Sequence, residues 1–157
     1  NLLNRTSSMS RKWFKNMVPN KDELSNDDFL ESYSTKIVKN YINFFDLYEI
    51  DLAANDILDF AIKTNLYLNE KQPWILIKDN NNHSLVSNII YNVLESTRII
   101  GLLLLPLLPD LSTKIDYQLG SLYIQDKSWI QQLEWGLMKQ ESTLPVPVPI
   151  IDKLEYE

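Results

Sequence analysis

Cysteine is absent from the 157 residues, histidine occurs once and glycine three times. Without cysteine there is no disulfide, no thiolate zinc ligand and no sulfur nucleophile. The single histidine, His83, excludes any two-histidine metal motif and leaves little scope for imidazole acid–base work. Gly101, Gly120 and Gly136 stand far apart, so no glycine-rich loop of the Walker or dinucleotide type can be drawn to cradle a phosphate. Long hydrophobic runs are missing as well. The most apolar stretch, residues 99–108, is interrupted by Gly101 and Pro106, and falls well short of the roughly 20 residues that span a bilayer. Most stand-alone enzyme classes are thereby disfavoured, and a membrane is not expected as a partner. The chain opens Asn-Leu-Leu-Asn-Arg, with neither an initiator Met nor a basic-then-apolar leader. It reads as a piece of a longer, cytoplasmic protein.

What is present suffices for one ordinary domain: 45% hydrophobic residues, 23% charged and a formal net charge of −6. Helical periodicity dominates. Residues 1–17 place Leu2, Leu3, Met9, Trp13, Phe14 and Met17 mostly at three- and four-residue steps, ended by Pro19. Ser25 or Asn26 can cap a second helix with Asp27 and Asp28 in its first turn and the stripe Phe29, Tyr33, Ile37, Tyr41, Phe44, Phe45 and Tyr48. A third helix turns Leu52, Ile57, Phe60, Ala61, Thr64 and Leu68 inward. After a polar turn at residues 80–83, a fourth runs over residues 84–105 with Leu85, Ile89, Val93, Leu94, Thr97 and Ile100 on its buried side. A fifth, over residues 110–119, stops at Gly120. Leu122, Tyr123, Trp129, Leu133 and Trp135 can anchor a further short helix. The expected architecture is all-α: a bundle of about five main helices, filling residues 1–157 as one domain. Residues 144–157 are expected as an extended tail laid back on it, since Val146, Val148 and Ile150 call for burial.

A bundle leaves two features unexplained. Residues 1–21 hold Arg5, Arg11, Lys12, Lys15 and Lys21 with no acid, whereas the next ten hold Asp22, Glu23, Asp27, Asp28 and Glu31 with no base. Helical spacing puts Arg5, Lys12 and Lys15 on one face, and Asn1 one turn before Arg5. Such a face is either merely solvated or meets phosphates and bases. The second feature is Pro73-Trp74. Proline drives Gln72 out of helical geometry, so the indole is set by a stiff corner, as a buried plug or as a platform for an unpaired base.

Taken in order, Asn1-Leu2-Leu3-Asn4-Arg5, Asn65 ahead of Gln72-Pro73-Trp74, Leu108-Pro109-Asp110, Lys114-Ile115, Leu119-Gly120, Trp129, Trp135-Gly136 and the Pro-rich tail ending Ile150-Ile151-Asp152 resemble the anticodon-binding domain of methionyl-tRNA synthetases. The likeness covers almost the whole chain and looks like the bacterial form. It implies a bundle that reads the CAU anticodon of methionine tRNA. Asn1 and Arg5 would face the unstacked bases, Trp74 would stack, and Pro73 would position the indole. Arg11 or Lys12 would supply a second basic contact, and Lys15 would meet a backbone phosphate. An Asn amide suits a Watson–Crick edge and an Arg fork suits a base or phosphate.

The His-Ile-Gly-His-type signature and the Lys-Met-Ser-Lys-Ser-type loop of that family are not in this chain. The resemblance therefore implies a non-catalytic part without cofactor. ATP and magnesium would belong to a catalytic domain elsewhere in the parent ligase, and that domain would be the second partner beside tRNA. Two other readings compete. One is a helical protein-interaction domain using the basic helix and polyproline tail. The other is a hydrolase built on Asp56 and Asp59, which lacks an accompanying nucleophile, metal set or oxyanion donor.

Overall fold

The computed structural model describes residues 2–22, 26–121, 123 and 126–151. Among them are five helices of ten residues or more: α1 (Leu2–Trp13), α2 (Phe29–Asp46), α3 (Ile50–Lys71), α5 (His83–Leu104) and α6 (Pro109–Gln118). Two single-turn helices, α4 (Pro73–Leu76) and α7 (Trp129–Gln132), and a 3-10 turn at Asn80–Asn82 complete the set. The fold is all-α, as the periodicity predicts. Among the described residues no helix is long and apolar enough to cross a membrane.

The centre of the bundle is α5. Every residue from Val86 to Gly101 is buried, and α1, α2, α3, α4, α6 and α7 all pack on it. The expected one-sided stripe is therefore too narrow, and Leu85, assigned inward, is exposed. A helix enclosed on all sides has no solvent face to be amphipathic against. Two polar residues in this stretch are accommodated by its own backbone: Ser96 and Thr97 donate to the carbonyls of Asn92 and Val93.

The stripe of α2 is displaced at its ends, whereas that of α3 lies as expected apart from Leu52. In α2 the buried line is Leu30, Ser34, Ile37 and Tyr41. Phe29 and Tyr48, expected inward, are exposed: Phe29 is the first residue of the helix, which ends at Asp46, so that Tyr48 lies beyond it in a left-handed turn at φ 60°. In α3 the buried residues are Ala53, Ile57, Phe60, Thr64, Tyr67 and Leu68, while Leu52 is exposed. The two expected caps of α2 fare differently. Ser25 lies outside the described residues, and the position preceding α2 is Asp28 rather than Asn26, with no side-chain cap bond. Asp27 instead reaches α3, where it accepts the Tyr67 hydroxyl at 3.0 Å and pairs with Lys71 at 2.7 Å.

Helix α1 ends at Trp13, four residues before Met17, and its buried line is Leu3, Thr6, Ser7 and Ser10, so that of the large apolar residues expected inward on the helix only Leu3 is fully buried, with Leu2, Met9 and Trp13 partly so. Small side chains at these positions let α1 lie close against α5. Beyond it, Lys15 and Asn16 take left-handed conformations at φ 54° and 65°. The following segment pairs with the C-terminal one: Met17 bridges Thr143 antiparallel, and Val18 exchanges backbone hydrogen bonds with Glu141 and Ser142 at 2.9 Å. Leu144 is fully buried there and Val148 donates its N–H to Gln118 Oε1. Val146 and Val148, expected to be buried, face solvent at 59% and 49% exposure. In extended chain alternate residues face the bundle, and here Pro145 and Pro147 take the inward places. Residues 152–157 of the expected tail, and Leu122 of the expected short helix, lie outside the described residues. Of the other anchors expected for that helix, Trp129 opens α7 but Tyr123 is half exposed and precedes it.

One close approach carries a prediction. A methyl added at Gly101 in α5 would stand 2.8 Å from the Cγ2 of Ile115 in α6, and the Gly101 carbonyl accepts the Ser112 hydroxyl at 2.6 Å. Ile115 is β-branched and buried, with no soft end to move aside. Gly101→Ala should therefore destabilise by about 1–2 kcal/mol in urea unfolding, overpacking outweighing a helix-propensity gain of roughly 1 kcal/mol. An increase in stability would show that α6 shifts freely.

Candidate nucleic-acid interface

The site starts from the end of α3. Tyr67 and Leu68 are buried, and the Tyr67 hydroxyl is held by Asp27 and Asn92. Burial, first, and the Asp27 carboxylate push the Tyr67 hydroxyl well above the ordinary phenol range, so it stays a donor. Its ring also carries the Lys71 ammonium at 5.3 Å. With this end pinned, the chain breaks at Gln72, which takes φ 47° and ψ 55° and serves as the last cap of α3 and the first of α4. Pro73 follows at the first helical position, where its missing N–H costs nothing, and is buried. The corner expected from the sequence is present, and it holds Trp74 at 37% exposure, neither plug nor free side chain.

Helix α1 brings Arg5 to this corner. Its guanidinium lies 5.8 Å from the Trp74 ring centroid, within the range of cation–π attraction. Nη2 donates to Asn69 Oδ1 at 2.9 Å and lies 3.4 Å from Asn65 Oδ1. Both asparagines are on α3, one turn apart. Nε is enclosed without a partner. The planar fork is thus fixed over an indole by two carbonyl oxygens, and the Nη1 edge carries the donors left for a ligand. No acid lies in the first turn of α1.

The remaining candidates are spread more widely. Asn1 lies outside the described residues. Lys12 is exposed seven residues after Arg5, on the same face and about 10 Å along the axis at 1.5 Å per residue. Arg11, also exposed, lies about 120° round the helix from Arg5 at 3.6 residues per turn. Both occupy the last turn of α1, where they also complement its dipole. Lys15, expected on the helical face of Arg5, lies in the turn beyond the helix. It borders a groove of 480 Å³ with Trp13 and His83, into which Asp22 and Glu141 also open. His83 is not a loop residue: it opens α5, edge-on to Phe14 at 5.1 Å.

In the sequence Asn65 stands out only as part of the likeness, and Asn69 not at all. Their i, i+4 spacing on the polar side of an amphipathic helix is the available signal. Of the alternative carboxylate pair only Asp59 is engaged by a hydrogen bond, Asp56 Oδ2 being enclosed without a partner. Asp59 accepts the Tyr33 hydroxyl, and burial, then Asp59, raises the Asp56 carboxyl above its usual range while Lys36 lowers it.

This architecture has close counterparts. The apo form of Mycobacterium tuberculosis methionyl-tRNA synthetase superposes with a TM-score of 0.90 over 100% of this chain and 32% of that one, at 24% identity. The same enzyme in complex with methionyl-adenylate gives 0.87 over 98% of this chain and 30% of that one, at 26% identity. The class is thereby defined as an all-α domain of the kind an aminoacyl-tRNA synthetase carries. The family model for the anticodon binding domain of methionyl tRNA ligase matches residues 18–157, and the chain belongs to that family. A methionine–tRNA ligase of Bacillus cereus is 30% identical over 161 residues, covering 100% of this chain and 24% of its own length. One from Listeria monocytogenes is 31% identical with the same two shares. The chain thus spans about a quarter of these relatives. The family model begins after α1, whereas both of these relatives align over α1 as well.

Proposed function

We propose that this chain is the anticodon-reading part of a cytoplasmic methionine–tRNA ligase, binding the CAU loop of methionine tRNA while a separate region of the parent attaches methionine with ATP. The observation that supports this most is the Arg5 fork, held by Asn65 and Asn69 over the half-exposed Trp74. An unstacked base has a π-face for the indole and an edge for the fork. Cytosine, the first base of CAU, presents adjacent N3 and O2 acceptors, matching a site whose open groups are donors. Asn1 would add its amide to a base edge, one turn before Arg5. Pro73 fixes the indole's corner. Lys12 continues the Arg5 face towards the loop backbone, Lys15 takes a phosphate beyond it, and Arg11 is the alternative second basic contact.

ATP and magnesium belong, on this reading, to the catalytic region and not to these residues, which do not fit them. Gly101 is packed against Ile115, and Gly120 and Gly136 occupy left-handed turns, with no cradle among them. Among the described residues no group of three or more His, Asp or Glu could hold a metal.

The test compares anticodon stem-loops carrying CAU and UAU against the full-length protein. At position one the change replaces an acceptor at N3 by a donor. The CAU loop should bind at least about tenfold more tightly, the worth of one good base-edge contact. Equal binding of the two loops would overturn the assignment.

A further inference from the structure

Beyond the residues that a base would touch, the geometry assigns Asn69 a role of its own as the positioning residue that aims the Arg5 fork. We infer this from how unequally the fork is held, and the inference rests on the function proposed above. A guanidinium on a long, flexible side chain has many orientations in water, and only a fixed one discriminates between bases. Three contacts constrain it here. The indole of Trp74 attracts the guanidinium, whose carbon lies 5.8 Å from the ring centroid, but leaves its rotation nearly free, since a π-face attracts a cation from any in-plane angle. Asn65 Oδ1, at 3.4 Å from Nη2, is at the long end of hydrogen-bond range. Asn69 Oδ1, at 2.9 Å, is the one short bond. It occupies an Nη2 hydrogen and turns Nη1 outward, Nε being enclosed against the protein. Asn69 itself is exposed, so no packing role competes with this one.

The side chain does this through its carbonyl. A carboxylate at the same place would accept from Nη2 at least as strongly, whereas a methyl would accept nothing. That separates positioning from base reading through the Asn69 amide N–H groups, which aspartate lacks.

The experiment uses full-length protein with Asn69→Ala and Asn69→Asp, reading two quantities. The first needs no RNA: fluorine NMR of fluorotryptophan-labelled protein, with the Trp74 resonance assigned by its loss in Trp74→Phe. Asn69→Ala should shift or broaden that resonance as the cation leaves its fixed place, and Asn69→Asp should restore it. The second is the ratio of affinities for CAU and UAU stem-loops. Asn69→Ala should lower it by about tenfold, through weaker CAU binding with UAU binding unchanged, and Asn69→Asp should recover most of it. An unchanged Trp74 resonance in Asn69→Ala, or failure of Asn69→Asp to recover either quantity, overturns the inference. If the parent protein shows no CAU preference while the Trp74 resonance responds as stated, the anticodon assignment fails and the positioning of Arg5 by Asn69 stands.

Discussion

Glu95→Ala should destabilise the domain by about 3–5 kcal/mol, the range found when one partner of a buried ion pair is removed. Glu95 is fully buried at the middle of α5. Its carboxylate accepts Arg98 in a two-point contact, Nε at 2.8 Å and Nη2 at 2.7 Å, and also three backbone N–H groups. Gly136 and Leu137 donate to Oε1 at 2.7 and 3.0 Å, and Met138 to Oε2 at 3.0 Å. Arg98, 6% exposed, directs its other donors to the carbonyls of Gln132 and Glu134. Alanine here would orphan a buried cation and three amides together, each costing its desolvation. The segment released, residues 132–138, leads directly into residues 141–144, which pair with Met17 and Val18 just beyond α1. Damage should therefore spread to the turn holding Lys15. Hydrogen exchange at the amides of residues 136–138 is the local readout, and protection there should collapse before that of α3. Glu95→Gln retains the shape but sets an amide NH₂ against donors, so it should also be destabilising, by less. A loss under about 1 kcal/mol for alanine would mean that water satisfies the cluster, which its burial argues against.

That cluster is invisible in the sequence, and the reason is physical. Glu95 and Arg98 at a three-residue step look like an ordinary pair on a solvated helix face, and nothing local shows that the face is enclosed by other elements. The same applies to Thr6, Ser7 and Ser10. Polar residues read as surface, yet here their small size is what a close helix contact requires. Helix existence and order are legible because period and punctuation are local: Pro73, Pro109 and Gly120 each stand at an element end. Stripe direction is not, because Leu30 rather than Phe29 turns inward by virtue of where α3 and α5 lie. The site follows the same division. The Pro73-Trp74 corner comes from local stereochemistry. The partnership of Arg5 with Asn65 and Asn69 joins residues 60 and 64 positions apart, and only tertiary packing brings them together.

For RNA, two substitutions at the same corner should separate affinity from choice. Stacking of a base on an aromatic ring contributes roughly 1–3 kcal/mol and is nearly blind to which base is stacked. Trp74→Ala should therefore weaken both CAU and UAU stem-loops, by about 5- to 150-fold, while the ratio between them changes little. Trp74→Phe should retain much of the binding. Stability should fall by about 1–2 kcal/mol in Trp74→Ala and less in Trp74→Phe, because the indole is 37% exposed but otherwise covered, and the fully buried member of the corner is Pro73. Arg5→Ala should do the reverse for choice: the CAU loop loses its edge contact and the ratio falls towards one, with a smaller loss for UAU. Arg5→Lys should not rescue it, since an ammonium is a point charge without a fork. Salt dependence supplies the control. Stacking releases no counterions, so Trp74→Ala should leave the slope of log affinity against log salt unchanged. Lys12→Ala and Lys15→Ala should each make it shallower by up to about 1 if they neutralise a phosphate. Should Trp74→Ala bind both loops within twofold of the parent protein, the indole is no platform and the base sits elsewhere. A lost CAU preference in Trp74→Ala with UAU binding intact would instead make the indole the reader and Arg5 its support.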